Sequence, residues 1–575
     1  MSFINIFLND TSVKIDKNNT ILEIAKSLNI DIPYLCNLKF KDININECAS
    51  CGVCKVETNL GLVNSCSSYP IEDMRIYTHS QKAINARKEA VAKMLETHPQ
   101  DCLLCEKHHD CTLQSIAADL GIRKLNVNKP SLRYEIDNSS KSIVRDPEKC
   151  ILCRKCEVMC NKVQTVGLLT EINNGCKTVI SSEEKSLANT SCTYCGQCVA
   201  VCPTGALTEV NNIGDVWNAI DDNNKKVVVQ IAPAVRVALG EEFGMEIGSI
   251  VTGKIATALR KLGFDLVFDT DFAADLTIME EANEFLTRLQ AGENLPILTS
   301  CCPAWVKFIE HQKPELLNHP SSCKSPQQMF GAIAKSYLAE KINKKPEDMY
   351  VVAVMPCVAK KFEASREELS VDNIQDVDKV ITTRELARMI KEAGINFDSL
   401  EESDFDHPLG ESTGASVIFG TTGGVLEAAL RTAYEWITKE TLEKVEFKEL
   451  RGIKGIKEAT LNINGIDVNV AVVCGLGNAR NVLDQIEAGT CKYHIIEVMA
   501  CPGGCVGGGG QPYHNGDFDI VKKRAQGLYQ IDKDKPLRKS HENPSIIKLY
   551  DEYLKSPGAH KAHHILHTHY VKREK

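Results

Sequence analysis

The chain has 575 residues, 43% of them hydrophobic and 25% charged, with a formal net charge of −9 and 25 cysteines. This length predicts several domains, the composition is that of an ordinary globular protein, no apolar run is long enough to cross a bilayer, and the acidic balance gives no reason to expect nucleic acid. The opening segment lacks a basic stretch followed by an apolar core and a small-residue cleavage site, so the expected location is the cytoplasm; tight C-x-x-C spacing without an export signal points to metal rather than disulfides.

Residues Ile4 to Ile15 alternate around Asn9-Asp10 as a hairpin does, and the run from Thr20 to Leu28 has helical spacing with Thr20 as its cap. A small β-grasp domain is predicted over residues 1–79. Cys36, Cys51-Gly52-Val53-Cys54 running into Lys55-Val56-Glu57, and Cys66 resemble the plant-type ferredoxin domain, and that resemblance implies a [2Fe–2S] cluster on these four thiols. Cys48 forms a competing C-x-x-C pair with Cys51; Cys51 and Cys54 are preferred because in that family the second cysteine leads directly into a Val-Glu strand.

A helix is predicted from Ser80 to Glu96, followed by His98, Cys102, Cys105 and Cys111. Three thiols need a fourth ligand to close a cubane, and imidazole is a competent iron ligand that raises cluster potential relative to thiolate. The spacing H-x3-C-x2-C-x5-C is similar to the His-ligated [4Fe–4S] element of clostridial hydrogenases and of the large Fe–S subunit of respiratory complex I, which implies a domain over residues 80–126 ligated through His98 in preference to His108 or His109.

Residues 127–210 carry the strongest local signal. Cys150, Cys153, Cys156 and Cys160, then Cys192, Cys195, Cys198 and Cys202-Pro203, are two copies of the bacterial ferredoxin run, in which the fourth cysteine ligates the other cluster. One [4Fe–4S] cluster therefore takes Cys150, Cys153, Cys156 and Cys202, and the second takes Cys192, Cys195, Cys198 and Cys160. A zinc ribbon has its pairs farther apart and lacks the closing x3-Cys-Pro.

From residue 211 onward the cysteine-dense part gives way to alternating strand-like and helix-like stretches, including Val227 to Ala234, Thr252 to Leu262, Thr383 to Ala393 and Gly424 to Ile437. The pattern predicts a large α/β domain over 211–575. Its tail histidines, His560, His563, His564, His567 and His569, read as a solvated helix rather than as metal ligands. Three segments place cysteine beside proline after apolar runs: Thr299-Ser300-Cys301-Cys302-Pro303, Val354-Met355-Pro356-Cys357, and Glu497 to Cys501-Pro502-Gly503-Gly504-Cys505. These are positions for active-site loops. Four of their five thiols suffice for a cubane.

Together the three segments resemble the signature motifs of the [FeFe] (iron-only) hydrogenases, of the clostridial monomeric type, and the likeness extends over essentially the whole chain. The expected architecture is then multidomain, α+β and α/β: β-grasp, His-ligated Fe–S, bacterial ferredoxin and H-cluster domains in order. The resemblance implies an H-cluster: a [4Fe–4S] cubane on Cys302, Cys357, Cys501 and Cys505, the last thiolate bridging to a diiron unit carrying carbon monoxide, cyanide and a dithiolate amine. It implies Lys360 as the cation beside cyanide, Ala232, Pro233, Met355, Phe419 and Met499 as apolar walls, and Gln327 as a polar contact. Ala234 and Ala359 depart from the family, whose clostridial members often carry serine there, so tuning rather than loss of activity is expected.

Protons need a chain of groups within hydrogen-bond reach. Glu281 and Glu284 lie at i,i+3 in the helix-like Met279 to Leu289 and so face the same way; the resemblance implies a relay of Cys301, Glu281, Ser321, Glu284 and Arg288. The thiols left over are Cys48, Cys176, Cys323, Cys474 and Cys491, small hydrophobes by default. No flavin or nicotinamide motif is present, since the glycines from Gly503 to Gly510 belong to the cluster loop. The expected electron partner is therefore ferredoxin or flavodoxin, docked on a local basic patch, and separate maturation proteins are expected to supply the diiron unit. Competing readings are a hydrogen sensor, which predicts loss of the Cys301 thiol and an added signalling domain; an Fe–S assembly protein, which predicts degraded motifs; and one subunit of a bifurcating complex.

Overall fold

Asn9 and Asp10 both adopt left-handed backbone, φ 50° and 66°, and turn Phe3–Leu8 back onto Thr11–Asp16 in antiparallel register. Two successive positive φ values give the turn whose twist matches the strands it joins. The computed structural model describes residues 3–48, 51–123, 134–184, 186–463 and 465–574. The hairpin continues into a five-stranded sheet in the order Thr11–Asp16, Phe3–Leu8, Arg75–Tyr77, Lys55–Thr58, Gly61–Asn64. The helix Ile21–Ser27 starts at a capping box between Thr20 and Glu23 and buries Ile21, Leu22 and Ile24 against Ile6, Leu8, Val56 and Ile76.

The helix Gln81–Leu95 is capped by Ser80, whose side chain accepts from the Ala83 amide, and it shares a small core of Leu35, Val53, Val91, Leu113 and Ile116 with the helix Thr112–Asp119. The boundary expected at 126/127 and the Cys176 side chain lie outside the described residues. In the next part, Ile143–Arg145 pairs with Leu207–Glu209 and Thr170–Ile172 with Val179–Ser181, with the short helices Lys155–Val158 and Gln197–Val201 between them.

Two four-stranded sheets frame the large domain. One is all parallel, in the order Leu266–Asp269, Lys226–Ile231, Met349–Met355, Lys379–Thr382. Its central strands are almost wholly buried, the consequence of helices covering both faces. The other runs Ile297–Leu298, Ile495–Met499, Ile466–Cys474, Ile456–Ile463, with only the last pairing antiparallel. The helix expected over 279–289 is longer, Thr270–Ala291, because the Asp269 carboxylate caps it from the Asp271 amide and its first turns are buried all round.

The tail helix forms but is solvated on one face only, where His560, His563 and His564 are exposed. His560–Leu566 buries Ala562, Ile565 and Leu566, at helical i, i+3 and i+4 spacing, and the chain beyond it pairs with 322–324: Lys324 N donates to Leu566 O at 2.8 Å and Thr568 N to Ser322 O at 2.8 Å. No helix among the described residues is long and apolar enough to cross a membrane.

Candidate active site and metal centres

The three cysteine-proline segments all leave the carboxyl ends of parallel strands: Ile297–Leu298 leads to Cys301 and Cys302, Met349–Met355 to Cys357, and Ile495–Met499 to Cys501 and Cys505. Loops at that edge of a parallel sheet converge on one crevice. Cys302 precedes the helix Pro303–Gln312, with proline at its first position, where a missing N–H costs nothing. Position 504, φ 91°, between Cys501 and Cys505, calls for glycine, because a Cβ there would lie 2.6 Å from the Thr422 amide nitrogen. Cys357 and Cys501 are buried, Cys302 and Cys505 partly so.

Burial raises all four thiol pKa values, and neighbouring thiols raise those of Cys357, to about 12, Cys501 and Cys505 further. Four thiols from three loops brought together inside a protein, where burial penalises their charged form, fit an iron centre that takes them as thiolate ligands and compensates that charge.

Lys360 lies beside this group. Its ammonium donates to Cys301 O at 3.1 Å and to Glu363 Oε2 at 2.8 Å. Burial opposes its charge, but Glu363 prevails and raises its pKa above the ordinary lysine value. Gln327 Nε2 donates to Glu363 Oε2 at 3.0 Å, while its Oε1 is buried with no hydrogen-bond partner, an acceptor left over. Ala232, Pro233, Met355, Phe419 and Met499 are all buried, and Phe419 and Met499 pack in one cluster with Cys301 and Cys302. Ala234 and Ala359 are buried as well, with no hydroxyl to offer.

Behind Cys301 the structure brings together each relay residue read from the sequence. Burial first, then Cys302 and Glu281, push the Cys301 thiol pKa far up. Burial and then Glu284 push the Glu281 carboxyl up to about 8, against a hydrogen bond with Ser321 that lowers it, and Glu281 Oε2 is buried without a partner. Ser321 Oγ donates to Glu284 Oε2 at 2.8 Å, and Arg288 Nη2 donates to Glu284 Oε1 at 2.5 Å. Arg288 is held in place by the carbonyls of Asn318, His319 and Pro320, at 3.0, 3.0 and 3.1 Å.

The accessory cysteines also gather. Cys36, Cys51, Cys54 and Cys66 interact directly with one another, whereas Cys48 is exposed. Cys102, Cys105 and Cys111 line one small cavity with both His98 and His108, so the cavity holds two imidazoles and His109 is not part of its wall. Lys107, from the same loop, donates to Cys202 O at 2.7 Å, and the Cys105 sulfur packs against Gly205, where a Cβ would approach it to 2.7 Å. Buried Lys155 feels both Cys153 and Cys36. The two outer groups therefore abut the Cys150/Cys153/Cys156/Cys202 group from two directions. At the other end, Cys501 Sγ lies 3.9 Å from Cys195 O, and a Cβ on Gly509 would lie 2.7 Å from Gly196 Cα.

Sequence reasoning missed Glu363, although its i+3 spacing from Lys360 was readable. It also missed Glu497, buried and pushed up to about 7 by desolvation against amide donors from Leu426 and Gly423, and the buried Glu209, held down to about 2 by Arg384 and Arg388 despite its desolvation. Nothing local marks the last two.

Family models match most of the chain: the C-terminal domain of the iron-only hydrogenase large subunit over 225–509, the iron hydrogenase small subunit over 518–573, the NADH-ubiquinone oxidoreductase-G iron-sulfur binding region over 87–125, a 4Fe-4S dicluster domain over 149–206 and a 2Fe-2S cluster binding domain over 6–79. The chain is 53% identical over 585 aligned residues to a subunit of the NADP-reducing hydrogenase of Solidesulfovibrio fructosivorans, covering 100% of both chains. It is 43% identical over 574 to iron hydrogenase 1 of Clostridium pasteurianum, covering 99% of this chain and 100% of that one. Among solved structures it resembles an [FeFe]-hydrogenase of Chlamydomonas reinhardtii with TM-score 0.58 and 45% identity, covering 63% of this chain and 99% of that one.

Proposed function

The chain belongs to the iron-only hydrogenase family, and on that basis we propose that residues 211–575 interconvert protons, electrons and H2 at an H-cluster held by Cys302, Cys357, Cys501 and Cys505. The observation that carries this is the meeting of those thiols, from three strand ends, beside a buried lysine on one side and a carboxylate relay on the other. When bound, the H-cluster supplies an open metal position and an adjoining base for heterolytic chemistry on H2.

The protein positions that group and serves it with charges. Lys360 presents a fixed ammonium to an anionic ligand, and the apolar walls of Ala232, Pro233, Met355, Phe419 and Met499 exclude water. Cys301 is the nearest proton carrier, and Glu281, neutral at pH 7 by virtue of its raised pKa, both donates and accepts a proton without first charging a dry cavity. Ser321 links it to Glu284, and Arg288 fixes Glu284 at the outer end.

Electrons pass through one [2Fe–2S] cluster on Cys36, Cys51, Cys54 and Cys66, a [4Fe–4S] cluster on His98, Cys102, Cys105 and Cys111, and the two ferredoxin-type clusters. In this reading the domains are 1–79, 80–126, 127–210 and 211–575. His98 is preferred to His108 on its spacing, H-x3-C-x2-C-x5-C, which is similar to that of His-ligated [4Fe–4S] elements. The protein acts in the cytoplasm as a monomer, exchanging electrons with ferredoxin or flavodoxin. A second reading is favoured by the full-length likeness to a subunit of an NADP-reducing hydrogenase: the chain hands electrons to companion subunits rather than to a free carrier.

Infrared spectroscopy of the anaerobically matured protein tests the catalytic reading. Bands of metal-bound carbon monoxide and cyanide are expected; their absence after maturation, with the accessory clusters intact, overturns it. H2 evolution driven by reduced ferredoxin alone separates the first partner reading from the second, which requires companion subunits.

A further inference from the structure

Buried lysines elsewhere in this chain have a carboxylate beside them: Lys324, Lys335, Lys360, Lys361 and Lys539 pair with Asp376, Asp378, Glu363, Glu385 and Glu435 at 2.6–2.8 Å. Lys107, Lys155 and Lys307 are as deeply buried, 0, 2 and 4% exposed, yet among the described residues none of the three forms an ion pair. All three face the accessory cysteines. We propose that these lysines are the fixed counter-charges of the electron path, each raising the reduction potential of the iron–sulfur groups it adjoins.

The contacts that hold these ammoniums are neutral. Lys107 Nζ donates to Cys202 O at 2.7 Å and lies 3.1 Å from the centre of the Tyr513 ring. Lys155 Nζ donates to Asn515 O at 2.9 Å. Lys307 Nζ donates to Cys192 O at 2.7 Å and meets His311 Nε2 at 2.9 Å. Carbonyls and rings orient an ammonium without cancelling its charge. Burial opposes the charge on all three, and the influence that most sustains it is in each case a cluster cysteine: Cys202 for Lys107, Cys153 and then Cys36 for Lys155, Cys192 for Lys307. A cation left dry and unpaired is strongly unfavourable, so the anion that matches these three belongs where the cysteines converge. A thiolate-ligated iron–sulfur group is such an anion, and it becomes more negative on reduction. Net charge is one of the levers that set its potential.

The three positions are not interchangeable. Lys155 adjoins both Cys36 and Cys153, and so serves the [2Fe–2S] group and the Cys150/Cys153/Cys156/Cys202 group together. Lys107 feels Cys202 and Cys111, and so joins that same group to the His98 group. Lys307 serves the Cys192 group from the helix Pro303–Gln312, which begins next to the catalytic ligand Cys302. In each reduction one electron enters a cluster and the lysine keeps its proton. The inference rests on the accessory clusters proposed above, and the experiment separates the two.

The full-length protein is prepared with its Fe–S clusters but without the diiron unit, so that proton reduction does not drain electrons. It is then titrated with dithionite and mediators under electron paramagnetic resonance. K107Q, K155Q and K307Q each keep an N–H for the carbonyl and remove the charge. In K155Q the [2Fe–2S] signal should need a more negative potential, its reduced-to-oxidised ratio at fixed potential falling about tenfold, 59 mV for a one-electron couple. K107Q and K307Q should leave that signal in place and shift [4Fe–4S] signals by a similar amount in the same direction. K155R, which keeps the charge, should titrate closer to wild type than K155Q does. Lys→Met variants repeat the measurement wherever a Gln variant fails to assemble its clusters. Full iron content with unmoved midpoints in all three neutral variants overturns this inference alone, as does an equal shift in K155R and K155Q, which would assign the effect to packing. Absence of the [2Fe–2S] and [4Fe–4S] signals from the wild type overturns the cluster reading and this inference with it.

Discussion

Lys360 and Glu363, three residues apart, form a buried ion pair, Nζ to Oε2 2.8 Å, in which the carboxylate also accepts from Ser325 Oγ and Gln327 Nε2, each at 3.0 Å. Removing either partner leaves the other charged and dry, which costs about 3–5 kcal/mol, whereas removing both costs much less. K360M and E363Q should each lower the unfolding midpoint of the anaerobic protein more than the double variant does. Equal additive losses, read by circular dichroism, would show that the two side chains are not coupled.

Cys301 is not one of the four convergent ligands, yet it adjoins them and Glu281. C301A removes a proton carrier without touching a cluster thiol. Turnover should fall about 100-fold or more, the low end of what a positioned acid–base group contributes. Iron content, electron paramagnetic resonance of the accessory clusters and the infrared bands should be unchanged. Near-normal H2 evolution by C301A refutes the relay.

Glu281 carries a pH signature in stability as well as in rate. Its folded pKa, raised to about 8 by burial, lies above the carboxyl's ordinary value of 4.5, so between those two pH values the folded chain binds the proton that the unfolded chain has lost. This group's contribution is therefore greatest below about pH 4.5 and falls as pH rises toward 8. In E281Q that part of the slope should vanish, because the amide binds no proton in either state, leaving the variant's midpoint flatter than the wild type's between about pH 5 and 8. Identical slopes in the two proteins would place the Glu281 pKa near that of a solvated carboxylate.

The grouping of the cysteines was legible because cysteine spacing is a one-dimensional signal, and the strand-then-loop pattern put Cys302, Cys357 and Cys501 just past the carboxyl ends of their strands. The relay was not legible by pattern alone: Ser321 and Glu284 are 37 residues apart and meet only because the chain after Leu298 returns along the helix Thr270–Ala291. Resemblance supplied what periodicity did not. The tail was only half read, for a related reason. Ala562, Ile565 and Leu566 form an apolar stripe at helical spacing, but the histidines between them made the segment look solvated, and no local feature tells that His567 reaches Ser322, 245 residues away.

Gly196 and Gly509 set how closely the second ferredoxin-type group approaches the catalytic thiols. Their backbones pack without side chains between them, Gln197 Nε2 reaches across to Gly507 O at 3.0 Å, and Cys501 Sγ lies 3.9 Å from Cys195 O. A methyl at Gly509 would sit 2.7 Å from both Cα and O of Gly196, backbone atoms that cannot rotate away. G509A must therefore push the two loops apart, at a stability cost of about 1–3 kcal/mol for overpacking. Electron delivery should slow while chemistry confined to the catalytic site persists: H2 evolution from an external donor should fall several-fold, but exchange between H2 and D2O, which needs no electrons from the wire, should remain near the wild-type rate. A matched loss of both activities would mean that the methyl disturbs the catalytic loop itself, and an unchanged rate of H2 evolution would mean that this contact does not govern electron transfer.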